Sequence, residues 1–416
     1  MTVWNPEWRV SVDGGDFEAV TIANLTITTG RTDFYSQPVA GYCRFQLINL
    51  DNTSYDFTIN TQVAIEVKNS SGTYVPIFGG FISDFAISVQ SSGRVGHTTI
   101  ADITAMGALS KLPKIITDGV LAKDFEGDQI YDLLSDSLGG QWSDVSASQT
   151  WATYDAATTW ALAEVVGLGD IDLPGQYEMV ARSSSPINLY TLISEIAQSA
   201  FGYIYEDANG NIGYADTYHR KEYLQANGYV NLDANHALAS GIKSVVKSGD
   251  IRNKITVAYG PSASSTYTSE DVASQSLYGI SAQSSTSLLH NGADAISVAD
   301  RYITLRSNPY PKFEAITFQL ANPEIDDSDR DNLLGVFMGM PIQIDNLPLN
   351  IVNGLFQGFV EGWTFQAGYG SMSLTINATP YSYSDVATRW SGVSALETWN
   401  TLSGTMTWAQ ALGTVA

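Results

Sequence analysis

Two periodicities alternate along the chain. Through residues 1–112, β-branched and aromatic residues alternate with polar ones between turn signals such as Asp13-Gly14-Gly15-Asp16 and Ser91-Ser92-Gly93, which predicts a succession of short strands. From Ala122 the period lengthens: Phe125, Ile130, Leu133, Leu134 and Leu138 recur at helical spacing, and Gly139-Gly140 supplies a stop. A second helix is predicted to start at Ser185-Pro186, an N-cap followed by proline, with Ile187, Tyr190, Ile193, Ile196, Ala197 and Ala200 on one face. Tyr203-Ile204-Tyr205 and Ile212-Gly213-Tyr214 then flank a polar stretch containing Asn209-Gly210, which predicts a hairpin. The strand pattern resumes at Lys254–Tyr259, and the Ser-rich run from Pro261 to Ser276 is expected to be a long surface loop.

The two strand-rich regions share words in the same order. Phe45-Gln46-Leu47-Ile48-Asn49 returns as Phe318-Gln319-Leu320-Ala321-Asn322, and Ile65-Glu66-Val67 as Ile342-Gln343-Ile344. Phe78-Gly79-Gly80-Phe81-Ile82 returns as Phe356-Gln357-Gly358-Phe359-Val360, and Ile103-Thr104-Ala105 as Ile376-Asn377-Ala378. Gly80 beside Phe81, and Gly358 beside Phe359, are glycines inside strand patterns, where glycine marks a bulge or a bend. The expected fold is mainly β with α/β inserts: two similar small antiparallel β-barrels and a helix plus hairpin module between them. The expected order is a first barrel at 1–112, a helical insert at 113–184, the helix and hairpin at 185–248, a second barrel at 249–384 and a tail at 385–416.

A second repeat concerns tryptophan. Trp142-Ser143-Asp144-Val145-Ser146-Ala147, followed by Trp151 and Trp160, returns as Trp390-Ser391-Gly392-Val393-Ser394-Ala395, followed by Trp399 and Trp408. Steps of nine residues turn a helix by half a revolution, so these side chains cannot share one helical face. Each unit is therefore a turn or short strand presenting one tryptophan. Either each ring anchors its own loop, or Trp390, Trp399 and Trp408 dock on a neighbouring subunit, tryptophan being enriched among the residues that dominate interfaces.

Composition narrows the chemistry. Against 20 basic residues stand 43 acidic ones, a net charge of -23, which opposes binding to nucleic acid or anionic lipid. The single cysteine, Cys43, excludes an intrachain disulfide and fits folding in a reducing cytoplasm. The start carries no secretory signal pattern, and no apolar run reaches the ~18 residues of a membrane span. His97, His219, His236 and His290 lack metal-ligand spacing, and no nucleophile elbow or phosphate loop occurs. Asp327-Ser328-Asp329-Arg330-Asp331 imitates half a calcium loop, but Asn332 and Met338 occupy its glycine and bidentate positions, so a helix start is expected. The chain is expected to be no enzyme and to hold no cofactor or metal. The alternative is a glycan-binding β protein or glycoside hydrolase that uses exposed tryptophans such as Trp399 and Trp408 with a carboxyl pair.

Several stretches, in their order along the chain, carry a family likeness: Ile77–Asp84, the helix and hairpin from Ser185 to Asp216, Asn253–Gly260, Tyr278-Gly279 and Phe356–Glu361. This layout resembles the baseplate hub family of bacteriophage tail-tip proteins, and is similar to the base of type VI secretion spikes. The resemblance implies a homotrimer whose six barrels form a pseudo-sixfold ring in the virion, at the tail tip, after synthesis in the host cytoplasm. It implies a tail-tube or distal tail protein above, a tip, fibre or tape-measure protein below, and DNA only in passing. Carboxylates along the lumen would then repel the genome and let it slide. The tryptophan tracts have no assigned role in that family.

Overall fold

The computed structural model of the protein describes residues 4, 6–12, 22–49, 57–91, 97–138, 152–153, 170–237, 242–368 and 370–384. Six strands open the chain: β1 (Trp8–Val12), β2 (Ile22–Gly30), β3 (Val39–Asn49), β4 (Gln62–Lys68), β5 (Tyr74–Ser91) and β6 (His97–Gly107). All pair antiparallel, in the spatial order β1-β4-β5-β6-β3-β2. The sequence alternation becomes a buried face: Val63, Ile65 and Val67 on β4, with Phe45, Ile103 and Ala105, are wholly buried. Each of the Val, Ile and Phe side chains contributes roughly 1.5–3 kcal/mol on burial.

The middle of the chain is built from short pieces. β7 (Ile116–Thr117), β8 (Asp124–Phe125), α1 (Glu126–Leu138), β9 (Ala152–Thr153), β10 (Asp170–Ile171), β11 (Glu178–Met179) and β12 (Ile187–Asn188) precede α2 (Leu189–Ser199). Both helices begin later than the sequence pattern predicts. Phe125 is taken up by pairing of β8 with β11, and Ile187 by pairing of β12 with β7. The cap of α2 is accordingly Asn188, whose side chain accepts the Thr191 N–H, and not Ser185. The apolar face of α2 is as expected, with Ile193, Ile196 and Ala197 fully buried.

After α2, β13 (Tyr203–Glu206) and β14 (Ile212–Ala215) pair antiparallel, and α3 (His219–Asn227) follows. Asp207 shapes the turn by accepting the Asn209 and Asn211 N–H groups, while Gly210 supplies φ +85. The turn presses on the first β region: a Cβ on Gly79 would lie 2.6 Å from the Gly210 amide nitrogen. Only glycine permits so close an approach of two backbones.

The rest comprises β15 (Val230–Asp233), β16 (Ser244–Val245), β17 (Lys254–Tyr259), β18 (Ser265–Glu270), α4 (Val272–Tyr278), β19 (Ala282–Thr286) and α5 (Gly292–Arg306). Then come β20 (Lys312–Gln319), α6 (Asp327–Leu334), β21 (Pro341–Asp345), β22 (Phe356–Gly368) and β23 (Ser371–Pro380). Two expectations are corrected here. Lys254–Tyr259 does not join the large sheet; it forms a separate three-stranded sheet with β18 and β19, and Ile255 and Val257 pack into the middle core beside Ile193 and Val298. The Ser-rich run is no loop: Thr and Tyr alternate within it to make β18, and Asp271 caps α4 by accepting the Ser274 N–H. Its polarity reflects a strand and helix largely open to solvent.

The chain is mainly β, and among the described residues its large sheet has 12 strands. Within that sheet β21, β22, β23 and β20 pair antiparallel in that order, β16 closes the far end, and β15 adds in parallel to β21. The two β regions are stitched by β2 and β22, from Leu25 opposite Ala367 to Gly30 opposite Gly362, and one apolar core runs through both.

One local geometry occurs twice in this sheet. In the first region Gly80 faces Gly107, Phe81 faces Met106 and Ile82 faces Ala105; the register then skips a residue before Asp84 faces Thr104. In the second, Gly358 faces Pro380, Phe359 faces Thr379 and Val360 faces Ala378, with the same skip before Gly362 faces Asn377. A Cβ on either glycine would come within 2.7 Å of the ring two residues earlier, Phe78 in one case and Phe356 in the other. Phe45 and Phe318 are both fully buried, but Phe45 faces Ile103 whereas Ile316, not Phe318, faces Ile376. A two-residue slide of β20 preserves which side chains face the core.

Candidate functional site

The skipped residue in β22 is Glu361, and it is buried to 1 % exposure. Its counterpart in β5 is Ser83, whose hydroxyl donates to the Thr104 carbonyl at 3.2 Å. Around Glu361 three segments converge. Arg220, in the first turn of α3, donates to both carboxylate oxygens at 2.8 and 2.9 Å. Arg31, directly after β2, donates through Nε at 2.7 Å, and Thr379 of β23 donates its hydroxyl at 2.5 Å. Burial by itself would raise the Glu361 pKa, but the Arg220 and Arg31 guanidinium groups prevail and hold it at about 2. The Tyr203 ring of β13 lies 5.0 Å from the Arg220 guanidinium and 5.3 Å from that of Arg31, and Phe359 lies 5.2 Å from Arg220. A buried ion cluster is tolerable only when its charges are compensated in this way. The arrangement rivets both β regions to the middle of the chain.

Beside it is a cavity of about 120 Å³, lined among others by Arg31, Tyr203, Asp216, Arg220, Tyr302 and Arg306. Arg306 stacks 4.1 Å from the Phe34 ring and 5.0 Å from that of Tyr383, and donates to the Tyr383 carbonyl at 2.5 Å. Burial lowers its pKa to about 10.

Among the other buried carboxyl groups are Glu126, Asp172 and Glu206. Burial pushes Glu126 up to about 8 although it accepts the Gln176 and Tyr177 N–H groups, each at 2.7 Å. Burial likewise pushes Asp172 up to about 7 against His219, whose Nδ1 lies 3.1 Å away. Glu206 is pushed up to about 7, its oxygens taken by the Leu109 N–H at 3.0 Å and the Gly41 N–H. Their partners are backbone amides and one histidine from distant parts of the chain, so each carboxyl acts as a clasp between segments.

The acidic run at Asp327 is a helix start. Asp326 caps α6 by accepting the Asp329 N–H, and Asp327 pairs with Arg330 at 2.6 Å. Ligand-type atoms of His236, Asp326 and Asp329 lie within 4.8 Å of one another, but Asp329 already accepts from His236 at 2.8 Å and from the Asp233 N–H at 3.1 Å. Those oxygens are committed within the protein.

Of the residues singled out from sequence, Gly80, Phe81, Gly358 and Phe359 occupy the doubled geometry, with Phe359 fully buried and Lys111 lying 3.5 Å over the Phe81 ring. Trp390, Trp399 and Trp408, and the earlier Trp142, Trp151 and Trp160, lie outside the described residues. So does the tryptophan platform of the glycan-binding alternative. The Glu361 cluster was missed, although a lone charge inside Phe359-Val360-Glu361-Gly362-Trp363 was a usable signal.

No protein-family model and no curated protein matches the chain in sequence. Among solved structures, it is similar to the 43 kDa tail protein of a prophage from Shewanella oneidensis, with TM-score 0.53 and 11% identity over 92% of this chain and 100% of that one. It is also similar to a tail protein from Neisseria meningitidis, with TM-score 0.56 and 10% identity over 90% of this chain and 96% of that one. A type VI secretion component of E. coli, described as structurally similar to T4 bacteriophage tail proteins, aligns with TM-score 0.45 and 13% identity over 92% of this chain and 80% of that one. The chain has the fold of these two tail proteins over 90% or more of its length.

Proposed function

We propose that this chain is a non-catalytic structural protein of a phage tail, a baseplate hub at the tail tip. Three copies form a pseudo-sixfold ring between the tail tube and the distal tip or fibre parts. The observation that carries the reading is the doubled geometry around Gly80 and Gly358, with the same register skip and the same overlying phenylalanine. One chain that contains one β unit twice lets a threefold assembly offer six nearly equivalent faces. The fold shared with two tail proteins, along 90% or more of this chain, supports the same reading. The repeated units are the strands within 1–112 and, in the second half, β16 with β20 to β23, joined by the clasped middle, and the tail at 385–416 offers Trp390, Trp399 and Trp408 to a neighbour. The net charge of -23 suits a bore through which DNA slides without sticking.

Native mass measurement and negative-stain imaging test this. The expected result is a particle of three 44.9 kDa chains, with threefold symmetry and six similar lobes. A monomer at micromolar concentration, or lobes of unequal fold, overturns it.

A further inference from the structure

Among the described residues, the joint that links the two β regions inside the chain has two free counterparts, one along the second half of β5 and one at the β16 end of the large sheet. β4 covers the edge of β5 only as far as Phe81, so among the described residues Asp84–Ser91 is strand-paired on one side, to β6. Its apolar side chains are open: Phe85 at 38%, Ile87 at 50% and Val89 at 62% exposure. In the second region the matching stretch of β22, from Gly362 to Ala367, is covered by β2. At the β16 end of the sheet, β16 is paired among the described residues with β20 alone, and Val246 beside it is 58% exposed. Bare, apolar strand edges are sites for pairing with another chain.

We propose that the Asp84–Val89 edge of one copy pairs antiparallel with the Ile242–Lys247 edge of a second copy, repeating between chains the joint that β2 and β22 make within one. This rests on the ring reading for its closure at three subunits. The register follows from the doubled geometry. Ser244 lies opposite Phe313, which faces Ala378; Ile27 lies opposite Cys43, which faces Ala105. Ser244 therefore stands where Ile27 stands, and Ile27 faces Phe365, the counterpart of Ile87. Carried over, Lys247 meets Asp84, Val246 meets Phe85, Val245 meets Ala86, Lys243 meets Ser88 and Ile242 meets Val89. Ser244 meets Ile87 in this register; Lys247 meets the opposite charge of Asp84, and Val246 and Ile242 meet Phe85 and Val89, although neither match enters the derivation. A slip by one residue would set Lys247 against Phe85 and Val246 against Ala86. Lys247 now pairs with Glu314 on the surface, an interaction weak enough to be exchanged.

The test is cross-linking of the full chain. Phe85→Cys with Val246→Cys, and Ala86→Cys with Val245→Cys, sample adjacent cross-strand positions, which alternate between about 4.5 and 5.5 Å in Cα separation. The native Cys43 is buried and does not compete. One of the two double variants is expected to give a covalent trimer on oxidation, while Ile87→Cys with Val246→Cys stays uncross-linked. Asp84→Lys, which sets like charges opposite, is expected to weaken assembly about tenfold, with recovery when Lys247→Glu is added. A native-mass trimer that neither forms cross-links nor responds to Asp84→Lys overturns this joint and leaves the ring standing. A wild-type monomer overturns the ring, and the joint with it.

Discussion

Arg31 and Glu361 are bonded through backbone and side chain at once: the Arg31 N–H donates to the Glu361 carbonyl at 2.8 Å, and its Nε donates to the Glu361 carboxylate at 2.7 Å. The pair sits where β2 and β22 part, next to Gly30 and Gly362. The ion cluster thus locks one end of the seam between the two β regions.

Removing the shared charge should be costly. Glu361→Gln leaves Arg220 and Arg31 buried without their counter-ion, and the expected loss is roughly 3–5 kcal/mol in denaturant unfolding. Arg220→Met, which leaves Arg31 on the carboxylate, should cost less. Equal stability of Glu361→Gln and wild type would show that the cluster is not the lock.

Stability should peak on the acid side of neutrality. Glu126, Asp172 and Glu206 have folded pKa values raised to about 8, 7 and 7. Each raised group binds its proton more tightly folded than unfolded, so its contribution is complete below about pH 4 and is lost as pH rises toward 8. Glu361, lowered to about 2, acts oppositely: its contribution holds above about pH 4.5 and is lost as pH falls toward 2. Unfolding followed between pH 3 and 9 should show a maximum near pH 5, and Glu126→Gln should flatten the alkaline limb. An unchanged limb would exclude Glu126 as its source.

The two strand glycines should respond alike. A Cβ at Gly80 or Gly358 meets an aromatic ring within 2.7 Å and a carbonyl oxygen of the partner strand. Gly80→Ala and Gly358→Ala should each cost roughly 1–3 kcal/mol through overpacking. Thermal unfolding of the two variants gives the comparison, and a harmless change at one site alone would break the equivalence.

The tail tryptophans should matter for assembly. Trp399→Ala with Trp408→Ala is expected to leave the unfolding temperature within a few degrees of wild type and to lower the trimer fraction several-fold, as loss of interface anchors does. A trimer fraction equal to wild type, read by analytical ultracentrifugation, would return these rings to a role within their own loops.

Much of this fold was legible where one residue type had one plausible use. The alternation of Val63, Ile65 and Val67 gave a strand and its buried face, and Ile193, Ile196 and Ala197 gave a helix. The start of α2 was misplaced because Ile187 and Asn188 find a distant partner in Ile116 and Thr117, which local spacing cannot reveal. The Ser-rich strand β18 was hidden for the same reason, its stability coming from pairing with β17 and from contacts such as Thr256 to Thr268 at 2.9 Å. The Glu361 cluster joins residues from four separated segments, and no sequence window contains them together.

Because β2 is hydrogen-bonded to β3 on one edge and to β22 on the other, it belongs to neither β region alone. Residues 22–30 cannot come free without opening both flanks together, so the two regions are bound to melt as one cooperative unit. Amide exchange in β3 and in β22 would then slow to a common limit, as though a single domain had been drawn from two.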